Sequence, residues 1–118
     1  MKITKFEEVL AWQKAQNLAA HIYSIFKNSR EYSFKDQIFR TSISISNNIA
    51  EGFDRGSSKQ FLYFITVSKA SCSEVKSMLH LAVKCEILDK SLALKLIENC
   101  DEINRMLFGL ISWLKTRS

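Results

Sequence analysis

Three cysteines, two histidines and seventeen Lys and Arg residues are what this 118-residue chain offers for chemistry. Cys72, Cys85 and Cys100 contain no C-x-x-C pair. An odd count without a disulfide framework points to free thiols in a reducing compartment. Cys72 and Cys100 fall on apolar helical faces and Cys85 beside one. All three therefore read as small buried hydrophobes rather than nucleophiles. His21 and His80 belong to different helical segments and lack the His-x-x-x-His or Glu-x-x-His spacing that sets two ligands on one helix face. There is no Gly-rich phosphate loop and no G-x-S-x-G elbow. The expectation is a protein that is not an enzyme and holds neither metal nor cofactor.

Charge is the remaining chemistry. The net charge is +5, spread so thinly that none of five successive segments exceeds +2. Attraction to nucleic acid is allowed without being required. Arg40, Arg55, Lys59 and Lys69, with Lys115 and Arg117 in the C-terminal tail, are the candidate phosphate contacts; each is also an ordinary solvated surface charge. Trp12, Tyr23, Phe61 and Trp113 read as bundle packing and form no base-stacking motif.

These residues must be carried by helices. The chain has no Pro and only three Gly, which favours long helices joined by short turns over a β-fold. Hydroxyl–carboxylate or hydroxyl–amide spacings mark helix starts at Thr4–Glu7 and Ser57–Gln60, with a weaker version at Ser33–Asp36; Asp89 caps a fourth. Behind each start lies a three-and-four apolar alternation, predicting helices over roughly 5–29, 34–51, 58–86 and 90–116. Short connections favour antiparallel neighbours. The fold class is therefore all-α, one domain over 1–118, an antiparallel up-down-up-down four-helix bundle. The start MKITKFEEVL has no signal-like apolar run, and the longest apolar run, Met106–Leu114, is nine residues. A span needs about 20. A soluble, cytoplasmic protein with no membrane partner is expected.

The stretch SNNIAEGFDRGSSKQF, Ser46–Phe61, reads as a structural corner. Gly52 sits where a left-handed residue would close the second helix, and Gly56 permits a tight return to the Ser57 cap. Asn48 lies at the edge of the core stripe, within reach of backbone or of Ser71, and Glu51 can pair with Arg55 four residues on. The second helix also carries a second face. With its core stripe centred on Ile45, Phe39, Ile43 and Ala50 gather about 120–160° away and Ser46 near 100°. A second apolar face implies a second partner, here taken as another subunit.

The pattern Arg40-x-Ser42-Ile43-x-x-x-Asn47-Asn48-Ile49-Ala50-Glu51-Gly52-x-x-Arg55, followed by Lys59-x-Phe61-x-x-Phe64, resembles the bacterial family named for proteins encoded in intervening sequences of 23S ribosomal RNA. The first helix agrees with the resemblance through Phe6-x-x-x-Leu10-x-Trp12-Gln13-Lys14-Ala15 and Tyr23, and the third through Ser71-x-x-Glu74. Thr41, Ser68 and Ala70 depart from the family pattern by small-for-small exchanges. The resemblance implies a four-helix bundle assembled as a homo-oligomer, commonly a cyclic pentamer. It also implies kinship with the accessory protein of diversity-generating retroelements, a basic pentamer that works with a reverse transcriptase and nucleic acid. Five copies of a +5 chain carry +25, enough to attract RNA or DNA without a dense patch on one subunit. The expected function is non-enzymatic, phosphate-directed nucleic-acid binding with little sequence specificity. The alternative is a protein-interaction scaffold that binds no nucleic acid.

Overall fold

The computed structural model describes residues 2–117. Four helices, α1 (Leu10–Phe26), α2 (Tyr32–Asp54), α3 (Ser58–Lys84) and α4 (Lys90–Lys115), follow a 3-10 turn at Phe6–Glu8, and the described residues contain no strand. Helix α2 packs on α1 and α3, and α3 also packs on α4. Helices α1 and α4 share the smallest of the helix–helix contacts. The result is an up-down-up-down bundle of 45 × 20 × 19 Å. Its centre is filled by the expected stripes, with Leu18, Ile22, Ile38, Ile45, Ile65, Leu79, Leu96, Ile103 and Leu107 buried.

Two of the expected caps form. Ser57 Oγ accepts from the Gln60 N–H at 3.2 Å, and Asp89 Oδ2 accepts from the Leu92 N–H at 3.3 Å. The other two differ. Thr4 N–H donates to Glu8 Oε1 at 2.9 Å rather than to Glu7, because the 3-10 turn intervenes before α1. That backbone hydrogen bond holds the Glu8 carboxyl below its ordinary pKa. Helix α2 starts at Tyr32 behind Glu31 with no side-chain cap, so Ser33 lies inside the helix.

The corner also differs from expectation. Helix α2 runs through Gly52 to Asp54. A Cβ at Gly52 would lie 2.6 Å from Phe64 Cβ, so this glycine permits close approach of α3 rather than helix closure. Gly56, at φ +86°, is the left-handed residue of the turn. Hydroxyls line the same α2–α3 seam. Ser68 Oγ donates to the Ile45 carbonyl at 2.7 Å, and the Ser44 and Ser71 hydroxyls bond at 2.7 Å. Asn48 Nδ2 donates to the Ser44 carbonyl at 2.7 Å, within its own helix rather than to Ser71.

The second face of α2 is partly accounted for inside the chain. A helix in a four-helix bundle touches two neighbours, so α2 needs one apolar face for α3 and one for α1. Phe39 packs on Tyr23 of α1 with centroids 5.3 Å apart. Ser46 is fully buried and accepts from Gln16 Nε2 at 2.9 Å, which corrects its assignment to a subunit interface. Ile43 and Ala50 remain half-buried.

Gly52→Ala is expected to destabilise the fold by about 1–3 kcal/mol through overpacking. Gly109→Ala, with nothing within 4 Å of the new Cβ, is expected to stabilise it by roughly 0.5–1 kcal/mol. Urea unfolding followed by circular dichroism measures both.

Candidate nucleic-acid interface

The six basic candidates do not converge. Arg55 is paired with Glu51 at 2.6 Å and lies 5.0 Å from the Phe64 ring centroid. Arg117 lies over the Trp113 ring at 3.9 Å. Arg40 and Lys59 are exposed on α2 and at the start of α3. Lys69 is the candidate that the fold places in company. It lines an open groove of about 450 Å³ between α3 and α4 with Asn104, Arg105 and Phe108. Among the described residues neither Lys69 nor Arg105 joins an ion pair, whereas Asp101, one turn before Arg105, is held by Lys76 at 2.7 Å. The hydrogen bond to Asp101 raises the Lys76 pKa. Lys115 lies two helical turns beyond Phe108, about 10 Å along the same stripe.

The model of the family described as 23S rRNA-intervening sequence protein matches residues 7–109. The chain belongs to this family. A solved structure, described as a protein with unknown function from the S23 ribosomal protein family from Bacteroides thetaiotaomicron VPI-5482, has a TM-score of 0.81 at 21% identity, covering 87% of this chain and 96% of that one. At that identity the likeness concerns the fold. No curated protein matches the chain.

In this member of the 23S rRNA-intervening sequence family, sequence reasoning missed Asn104, Arg105 and Phe108. Phe108 follows the core residue Leu107 and so points off the core stripe, a signal available from the helical spacing. Tyr23 and Trp113, expected as packing residues, are about half exposed at 53% and 50%. No helix among the described residues is long and apolar enough to cross a membrane.

The thiols divide by position. Cys72 and Cys100 are fully buried, and Cys72 Sγ donates to the Cys100 carbonyl at 3.4 Å. The neighbouring Cys72 side chain, then burial, raises the Cys100 pKa. Cys85 is exposed, contrary to the expectation of a buried residue: it is the C-cap of α3, beyond Ala82, the last buried residue of the helix. An aromatic disulfide reagent is expected to modify one thiol in the native protein and three after denaturation, read by absorbance.

Proposed function

We propose that the protein is a non-enzymatic nucleic-acid-binding bundle that works as a homo-oligomer, with phosphate contacts on the outer α3–α4 face. The observation that carries this reading is the pair Lys69 and Arg105, which share one open groove and are unpaired among the described residues. Two uncompensated cations in a chain of net charge +5 favour a polyanion. A scaffold reading draws on a different feature, the apolar cleft of about 680 Å³ at the end of the bundle, lined in part by Ile3, Phe53, Phe61 and Trp113.

Titration with structured RNA and duplex DNA at two salt concentrations tests the first reading. Affinity should fall as salt rises, and Lys69→Ala or Arg105→Ala should each reduce the salt slope by about one, the value of a single neutralised phosphate. Absence of binding at low salt rejects it. Assembly is tested by native mass measurement: Ile43→Glu should weaken the oligomer while leaving the helical signal intact, and a monomeric wild type at micromolar concentration rejects assembly.

A further inference from the structure

Phe108 is 62% exposed in the α3–α4 groove. Among the described residues no aromatic ring or cation packs on it. Lys69 and Arg105 line the groove with it, and Asn104 Oδ1 in the same lining is shut from solvent with no donor. We infer that this groove takes an unpaired nucleobase, stacked on Phe108 with its phosphates held by Lys69 and Arg105, so that the protein prefers single strands to duplex.

The chemistry of Phe108, Lys69 and Arg105 selects this occupant. An exposed phenyl ring offers a face to any base, and a duplex keeps its base faces stacked and unavailable. Two unpaired cations beside the ring complement a phosphodiester rather than a neutral apolar surface. The inference rests on the nucleic-acid reading and adds strand preference to it.

Fluorescence anisotropy with a labelled mixed-sequence single strand and its own duplex tests the proposal, with native mass recorded for every variant. The wild type should bind the single strand more tightly. Phe108→Ala should lower the ratio of single-strand to duplex affinity about tenfold, and Phe108→Tyr should keep it. Equal affinity for both forms, or an equal drop for both in Phe108→Ala, overturns the strand preference and leaves phosphate binding standing. No binding of either form at low salt removes both. A change of native mass in Phe108→Ala assigns Phe108 to a contact between copies and overturns the proposal.

Discussion

Close approach of α2 and α3 is the constraint on which the bundle depends. Gly52 has no room for a methyl group against Phe64, and Ser68 reaches the Ile45 carbonyl across the same seam. Small side chains let the two backbones come near, and each buried hydroxyl has a partner that offsets its desolvation. Larger residues at these positions would move α3 outward, and α4 with it.

That seam explains the division of labour among the helices. Pairing α2 tightly with α3 leaves the other flank of α2 to α1, where Phe39 meets Tyr23 and Ser46 meets Gln16. Helix α4 then closes on α3 through Cys72, Cys100 and the Lys76–Asp101 pair. The outer edge of this α3–α4 seam is where Lys69, Arg105 and Phe108 come together. Their placement follows from helix packing, since α3 and α4 run antiparallel and set residue 69 opposite the turn that holds 105 and 108.

The electrostatic character of that edge depends on which charges are already engaged. Glu51 takes Arg55, Asp101 takes Lys76, and Glu102 takes Lys14 at 3.3 Å. Exposed pairs of this kind contribute little to stability, and among the described residues they engage three of the seventeen Lys and Arg side chains, with Lys69 and Arg105 among those left over.

Apolar spacing, the lack of Pro and the short connections determined four antiparallel helices and most of the core positions, because a stripe recurring every three or four residues must be covered by a neighbouring helix. The caps at Ser57 and Asp89 and the Glu51–Arg55 pair were legible for the same local reason. Only the tertiary structure decided that Gly52 serves close approach, that α1 covers Phe39 and Ser46, and that Lys69 meets Arg105 and Phe108. Those outcomes depend on which helix lies beside which, and residues on separate helices carry no local signal of their meeting.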